Sequence, residues 1–352
     1  MKRLEGIRNQ FTVEKIDALI VESDANRRYL SGFTGSAGVI LITSDQAYFI
    51  TDFRYVEQAK NQCEGYTIVE HKGQSVTSSK HLKSTALLLV LKNLIRLLKN
   101  MKCTRMQAYR LIPVAGLVES LRMFKDEKEL SIMKEAAEIA DQTFYDIVDY
   151  IKPGMKETEV RDRLEFTMRR LGADRSSFDI IVASGSRGAL PHGVASDKVI
   201  EEGELVTMDF GAYYKGYCSD ITRTVAVGQP TDEMKKVYET VLEAQLLGVE
   251  QIKPGMTGKE ADQICRDYIY SKGYEGKFGH GLGHGLGMEV HEGPGVSPKG
   301  NVVLKPGMVV TVEPGVYLPG VGGVRIEDDI VITADGNERL TTSDKSLRHI
   351  GK

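Results

Sequence analysis

The 352-residue chain is longer than one typical domain, and its 41% apolar content is enough for ordinary globular cores, so two domains are expected. A formal net charge of −3 gives no electrostatic basis for binding nucleic acid or an anionic membrane. Cys63, Cys103, Cys218 and Cys265 are scattered with no CxxC spacing, which excludes a disulfide frame or a cysteine zinc site and reads as reduced, buried thiols.

Met1-Lys2-Arg3-Leu4-Glu5-Gly6 opens without a signal-peptide core. The most apolar run, Leu87 to Leu98, is 12 residues long and contains Lys92 and Arg96, too short and too charged to span a bilayer. A cytoplasmic protein is expected. Residues 1–72 read as a small α/β unit. Apolar β-formers at Ala18–Val21, Val39–Ile42 and Tyr48–Ile50 predict strands, and Phe53–Gln62 predicts a helix capped by Asp52. The loop GFTGSAG (Gly32–Gly38) lacks the order and the following helix of a phosphate-binding fingerprint. Residues 74–107 depart from this style, with no acidic side chain across 34 positions. A basic amphipathic helix is one reading of that stretch. The first domain is placed at 1–125 and the second at 126–352.

From Asp126 a long helix is predicted. Leu130, Met133, Ala137, Ala140, Phe144, Ile147 and Ile151 recur at spacings of three and four, one apolar stripe, and Pro153-Gly154 ends it. IKPGM at Ile151–Met155 returns at Ile252–Met256, an offset of 101 residues. Each copy is preceded by a helical segment and followed by an acidic helix-former and a glycine turn. These flanks predict a duplicated α+β unit with a pseudo-twofold axis and a site at the junction of its halves. LKPGM at Leu304–Met308 shares the turn but not the flanks.

Leu205–Val227 reads as two strands around a turn. A turn centred between Tyr214 and Lys215 puts Asp209 directly opposite Asp220, where like charges repel unless a cation or a raised pKa relieves them. Exposed aspartates in a hairpin are the plainer alternative. The run Gly279–Gly295, GHGLGHGLGMEVHEGPG, combines seven glycines with His280, His284 and His291. Glycine permits positive φ and close approach, and histidines gathered there suit a metal or proton-transfer site. Met308–Gly315 and Gly322–Ile332 flank a turn at Pro319-Gly320, and centring on Gly320 sets Glu313 opposite Glu327, with Arg325 on the same face as Glu327. Four carboxylates and a histidine form an oxygen-rich set that suits two divalent ions such as manganese, cobalt or iron better than a structural zinc.

These residues resemble the pita-bread metallopeptidases, which include methionine aminopeptidase, aminopeptidase P and prolidase. The resemblance rests on MDFG, CSDITRT, GHGLGMEVHE, TVEPG and GGVRIEDD, with TGFTGSAG and ITDFRY similar to loops of a creatinase-like N-terminal domain. It implies an α/β creatinase-like domain before an α+β pita-bread catalytic domain with an internal pseudo-twofold repeat. It also implies a homodimer and two divalent metal ions, manganese first, with cobalt, iron or zinc as alternatives. By resemblance Asp209 would bind one ion, His284 and Glu313 the other, and Asp220 and Glu327 both. Arg325 would hold Glu327 or Asp209 in place, with a surface ion pair as the alternative, and His192 (in ALPHG) and His280 would lie near the substrate, where structural histidines are the alternative.

The implied activity is an exopeptidase hydrolysing the bond before proline, in Xaa-Pro dipeptides or at Xaa-Pro N-termini. Two ions lower the pKa of a water between them and create hydroxide near neutral pH. Glu313 would carry the proton to the leaving nitrogen and His291 would donate to the oxyanion. Methionine aminopeptidase-like activity and a non-enzymatic binding module on the same fold are the alternatives. The partner expected is a peptide with proline after the scissile bond, with neither nucleic acid nor membrane.

The resemblance covers nearly everything except residues 74–108. Relatives usually carry a helix and then a strand in that place. We therefore read residues 74–107 as frame-shifted between compensating changes. Peptide masses across the span are expected to differ from those of QSVTSSKHLKSTALLLVLKNLIRLLKNMKCTRMQ, and masses matching it would end this reading.

Overall fold

Short runs of β-branched and aromatic residues build the sheet of the first unit, and capped amphipathic helices set the frame of the second. The structure, a computed structural model, describes residues 2–71 and 112–351. The stretch 74–107, read above as frame-shifted, and Cys103 lie outside the described residues. The chain divides into two units, Met1–Arg122 and Met123–Lys352.

The first unit runs α1 (Lys2–Glu14), β1 (Ala18–Val21), α2 (Asp24–Ser31), β2 (Val39–Thr43), β3 (Ala47–Thr51), α3 (Val56–Gln62), β4 (Thr67–Glu70) and α4 (Leu117–Arg122). Its sheet has the order β1-β2-β3-β4, antiparallel except for the parallel β3–β4 pair. All three predicted strands are present. Helix α3 begins three residues later than predicted, because Asp52 is not its cap. The Asp52 carboxylate instead accepts from the backbone N of Arg54 at 3.0 Å and from its guanidinium at 2.8 and 2.9 Å, closing a turn ahead of the helix. The GFTGSAG loop wraps the buried Arg27, whose guanidinium donates to Gly35 O at 3.0 Å and Gly38 O at 3.2 Å. Its carbonyls thus bind an internal cation, which is why the loop is no phosphate cradle.

In the second unit, α5 (Glu127–Tyr150) starts at Asp126 with a reciprocal cap. Asp126 accepts from Glu129 N, and Glu129 accepts from Asp126 N, both at 2.9 Å. The helix stops at Tyr150, with Ile151 already extended ahead of Pro153. Then come α6 (Glu157–Arg170), β5 (Arg175–Ser176), β6 (Ile181–Ser184), a single 3-10 turn at Gly185–Ala189, β7 (Leu205–Phe210), β8 (Ala212–Tyr214), β9 (Tyr217–Cys218) and β10 (Ile221–Val227). The second half follows as α7 (Asp232–Gln251), α8 (Gly258–Ser271), β11 (Gly283–Gly285), β12 (Glu292–Val296), β13 (Val309–Val312), β14 (Gly315–Leu318), β15 (Gly322–Arg325), β16 (Asp328–Ile332) and β17 (Asn337–Arg339). Finally β18 (His349–Ile350) returns to the first half, in the sheet β18-β10-β7-β6, opposite the sheet β12-β11-β13-β16-β17 of the second.

The duplication is visible in the backbone. Gly154 and Gly255 take φ of +91° and +93°, conformations that L side chains rarely adopt. Their N–H groups donate to Ile200 O at 2.8 Å and Leu304 O at 2.9 Å, and Ile200 N and Leu304 N return bonds to Met155 O and Met256 O. Next, Glu159 and Glu260 each reach back to accept from the cap residues Lys156 and Thr257 at 2.7 Å. LKPGM therefore has a place that its flanks did not disclose. It is the counterpart of Ile200–Glu204, the turn before β7, and Gly203 and Gly307 share φ of +88°. Each half has its own apolar core, one around Phe144, Leu164, Met208 and Phe210, the other around Val241, Cys265, Val310 and Ile330. Among the described residues, no helix is long and apolar enough to cross a membrane.

Candidate active site and metal centre

Matching strand ends carry the carboxylates. Asp209 is the fifth residue of β7 and Glu313 directly follows β13; Asp220 directly precedes β10 and Glu327 directly precedes β16. Each half thus contributes one acid at the end of one strand and another just before the third strand after it.

The first hairpin differs from expectation by two residues of register. Asp209 faces Thr222, and Ile221 faces Phe210, because the turn is Lys215-Gly216, with φ of +48° and +94°, one residue beyond the predicted centre. Asp209 and Asp220 are therefore diagonal rather than opposed, a looser like-charge contact than the one first derived. The second hairpin has the predicted register. Gly315 faces Arg325 and Val312 faces Asp328, which brackets Glu313 against Glu327. The halves are joined through this region: Glu327 N donates to Thr222 O at 3.1 Å, Thr224 Oγ1 to Arg325 O at 2.9 Å, and Asp220 N to Asp329 Oδ2 at 2.9 Å.

Three of the four carboxylates have a side-chain holder. Arg325, 3% exposed, donates to Asp209 Oδ2 at 2.5 Å and to the Tyr317 hydroxyl at 2.9 Å. Of the two partners considered for Arg325, Asp209 is the one it touches directly. It reaches Glu327 only through Thr222, whose Oγ1 donates to Glu327 Oε2 at 2.6 Å and accepts from Arg325 Nε at 3.2 Å. Thr311 Oγ1 donates to Glu313 Oε1 at 3.2 Å and accepts from His284 N at 3.1 Å. Sequence reasoning missed Thr222, Thr311 and Tyr317. Thr222 lies two residues from Asp220 and so shares its face, a signal that could have found it; nothing local marks Tyr317.

His284 Nε2 lies 3.4 Å from Glu313 Oε1 and 3.7 Å from Asp220 Oδ2. Ligand atoms of Asp220, His284 and Glu327 all lie within 4.8 Å of one another. The His291 ring stands edge-on to His284, with centroids 4.4 Å apart. His280 bonds through Nε2 to the Tyr317 hydroxyl at 2.8 Å, and its Nδ1 is 4.0 Å from Glu313 Oε2. His192 is exposed on the loop whose Pro191 carbonyl accepts from Arg325 at 3.1 Å. None of the seven glycines of 279–295 has positive φ, and Gly283 and Gly285 serve close approach instead. A Cβ on Gly283 would lie 2.1 Å from Thr311 O, and one on Gly285 2.0 Å from Gly293 O.

The electrostatics call for positive charge. Burial, and then the neighbouring acids, raise the carboxyls of Asp220 and Glu327 well above the ordinary range. Burial pushes Glu313 up to about 8. His284 is held neutral, its pKa pushed down to about 4 by burial and by the nearby His291. Asp209 Oδ1 and Asp220 Oδ1 are buried with no hydrogen-bond partner among the described residues. Orphaned carboxylate oxygens beside a neutral imidazole fit divalent cations, which would supply the missing partners and neutralise the cluster.

Comparison with known proteins adds identity to this geometry. Residues 131–334 match metallopeptidase family M24, and residues 3–124 match the creatinase/prolidase N-terminal domain. The chain is 56% identical to the uncharacterized peptidase YqhT of Bacillus subtilis, over 98% of this chain and 99% of that one. It superposes on an Xaa-Pro dipeptidase from Bacillus anthracis with a TM-score of 0.89 at 52% identity, covering 99% of both chains. An X-Pro aminopeptidase from Thermotoga maritima gives a TM-score of 0.85 at 40% identity, over 97% of this chain and 100% of that one.

Two neighbouring glycines separate close approach from flexibility. Gly285→Ala, whose Cβ would strike the Gly293 carbonyl, is expected to destabilise metal-free protein by about 1–3 kcal/mol in chemical denaturation. Gly295→Ala, with nothing within 4 Å of its Cβ, is expected to stay within about 0.5 kcal/mol of wild type.

Proposed function

We propose, from the premise that the chain belongs to metallopeptidase family M24, that it hydrolyses the peptide bond preceding proline, with two divalent ions held by Asp209, Asp220, His284, Glu313 and Glu327. Residues 1–125 are the creatinase-like domain and 126–352 the pita-bread catalytic domain of this peptidase. The observation that carries the proposal is that Asp220, His284 and Glu327 offer ligand atoms within 4.8 Å of one another, with Glu313 3.4 Å from the neutral histidine and buried oxygens of Asp209 and Asp220 lacking a partner. Similarity to proteins named Xaa-Pro dipeptidase and X-Pro aminopeptidase supports proline as the residue after the bond. The family resemblance alone supports a homodimer, and scattered cysteines with no disulfide spacing support the cytoplasm.

When bound, the two ions supply an acidified water and a Lewis acid for a carbonyl oxygen. By resemblance Asp209 would hold one ion, His284 and Glu313 the other, and Asp220 and Glu327 would serve both. Arg325 and Thr222 each fix one oxygen of Asp209 and Glu327, so that these acids do not rotate to pair elsewhere. Glu313 takes the proton of the attacking water and gives it to the leaving nitrogen, which is a tertiary amide nitrogen when proline follows the bond. Burial pushes its carboxyl up, and divalent cations held beside it would favour the ionised form that accepts a proton. His291 donates to the tetrahedral oxyanion. His192 and His280 contact the substrate, and Tyr317 fixes the His280 ring.

The oxygen-rich ligand set predicts a preference for manganese or cobalt. Stripped protein is expected to be inactive on Xaa-Pro dipeptides and to recover best with those ions. Full activity in excess chelator, after elemental analysis shows the metal gone, would refute the assignment. Parallel assays on Xaa-Pro, Xaa-Pro-Yaa and Met-Ala separate dipeptidase, aminopeptidase P-like and methionine aminopeptidase-like activity.

Ligands and helpers should differ on mutation. Asp220→Ala is expected to lose both metal and activity. His291→Ala should keep its metal while kcat falls about 10²–10³-fold with much less change in KM. His192→Ala should raise KM. Normal metal binding with wild-type turnover in His291→Ala would make His291 a bystander.

A further inference from the structure

We propose that Asp262 and Arg266 of α8 are positioning residues that set His280 and Glu313 together; the proposal rests on the metallopeptidase reading above. The pair stands outside the site and touches none of the five ligand side chains in any bond described above. Asp262 is fully buried and takes a two-point contact from Arg266, Nε to Oδ2 at 2.7 Å and Nη2 to Oδ1 at 2.9 Å. Both side chains also bond to one stretch of backbone. Arg266 donates to Phe278 O at 2.8 Å and to His280 O at 2.7 Å, and its guanidinium lies 4.3 Å from the Phe278 ring centroid. Asp262 Oδ1 accepts from Leu282 N at 2.9 Å. Leu282 O in turn accepts from Glu313 N at 2.8 Å.

One ion pair therefore fixes three backbone groups between Phe278 and Leu282, and the last of these residues is bonded to the peptide of Glu313. In the same stretch the His280 ring is pinned at both nitrogens, by Gly281 O at 2.7 Å and the Tyr317 hydroxyl at 2.8 Å. With ring and backbone both held, His280 cannot move without breaking the clamp. A buried ion pair is a poor device for stability alone, because desolvation offsets its attraction. A planar fork that satisfies two carbonyls and a carboxylate at once fixes geometry in a way an apolar pair cannot.

The duplicated half argues the same way. The positions on α6 that correspond to Asp262 and Arg266 are Arg161 and Glu165, which make exposed ion pairs with Asp162 and Arg169. In that half the loop carrying His192 is held instead by the fully buried Glu157, through Ser184 N at 2.8 Å, Ser196 N at 3.1 Å and the Arg187 guanidinium. Two unrelated clamps thus grip the two histidine loops, a pattern that duplication alone does not produce.

The test is a double-mutant cycle on the full chain, using Arg266→Gln and Arg266→Lys with and without His280→Ala, and Arg161→Gln as control. Metal content, kcat and KM on an Xaa-Pro dipeptide, and the denaturation midpoint are measured for each. Metal-loaded Arg266→Gln is expected to lose about 10- to 100-fold in kcat with a smaller change in KM. Arg266→Lys should recover only part of that, because an ammonium cannot form the fork. In the His280→Ala background the Arg266 effect should shrink several-fold, while Arg161→Gln changes nothing. A lower midpoint with unchanged kcat per loaded site, additive effects with His280→Ala, or failure of both Arg266 variants to fold would each overturn the proposal. Imidazole ¹⁵N resonances of His280 in metal-free protein give a readout independent of catalysis. They should move in Arg266→Lys and stay in Arg161→Gln; unmoved resonances in Arg266→Lys also overturn it. Wild-type protein that binds metal but leaves every Xaa-Pro peptide intact would sink the peptidase reading, and the resonances would still decide the clamp.

Discussion

Four carboxylates gathered in a buried pocket repel one another and lose their hydration, and much of the second unit is arranged to hold them there despite that. Asp220, Glu313 and Glu327 all have their carboxyls raised, by burial before any other cause. Left to relax, these side chains would rotate apart or seek separate partners. Each of three is instead tied at one oxygen, Asp209 by Arg325, Glu327 by Thr222 and Glu313 by Thr311. The fourth, Asp220, is held by its backbone on Asp329. A site built this way is strained by charge rather than by conformation, and divalent cations are what such a set of oxygens accommodates.

Duplication supplies the symmetry of that arrangement. Each half brings a helix pair joined by a Pro-Gly turn, a capped second helix and a strand that ends in an acid. The shared φ values of Gly154 with Gly255 and of Gly203 with Gly307 show that even the turns correspond. Equivalent strand ends then deliver equivalent carboxylates, so two acids from each half meet where the halves are bonded through Thr222, Thr224, Arg325 and Glu327. The histidines break the symmetry. The second half carries the glycine run, with close-packed backbone at Gly283 and Gly285, and the first half has an exposed loop with His192.

Much of this was legible in the sequence because it is periodic. The α5 stripe, its start at Asp126 and the IKPGM repeat are local signals, and each leads to the element observed. The second hairpin could be registered because Gly320, with φ of +80°, sits at the centre of its turn. The first could not, because Lys215 takes φ of +48° and a lysine does not advertise a left-handed turn. Tertiary demands hid the rest. Asp52 looks like a helix cap but is engaged by Arg54, and Gly283 and Gly285 look like turn formers but make room for neighbouring carbonyls. Tyr317, which holds His280 from 37 residues further along the chain, has no pattern of its own.

The halves diverge most just behind the acids, and the divergence has an electrostatic reason. Ile221, which follows Asp220, packs into an apolar core, whereas Asp328, which follows Glu327, is fully buried and charged. Burial would raise the Asp328 carboxyl, but Arg223 and Lys345 beside it hold it below its ordinary value. Arg223 comes from β10 of the first half and donates to Asp328 at 2.8 Å, to Ser343 O at 3.0 Å and to the Glu327 carbonyl. Lys345, in the segment before β18, reaches Asp328 at 2.5 Å and Gln245 at 2.6 Å. Removing one member of such a buried pair typically costs about 3–5 kcal/mol, because the other is left charged and alone. Opposite charges therefore staple the two halves immediately behind the place where like charges push them apart. The attraction acts on the same peptides, Glu327 by its carbonyl and Thr222 through Arg223, so the repulsive face is held by a backing that cannot shift independently of it.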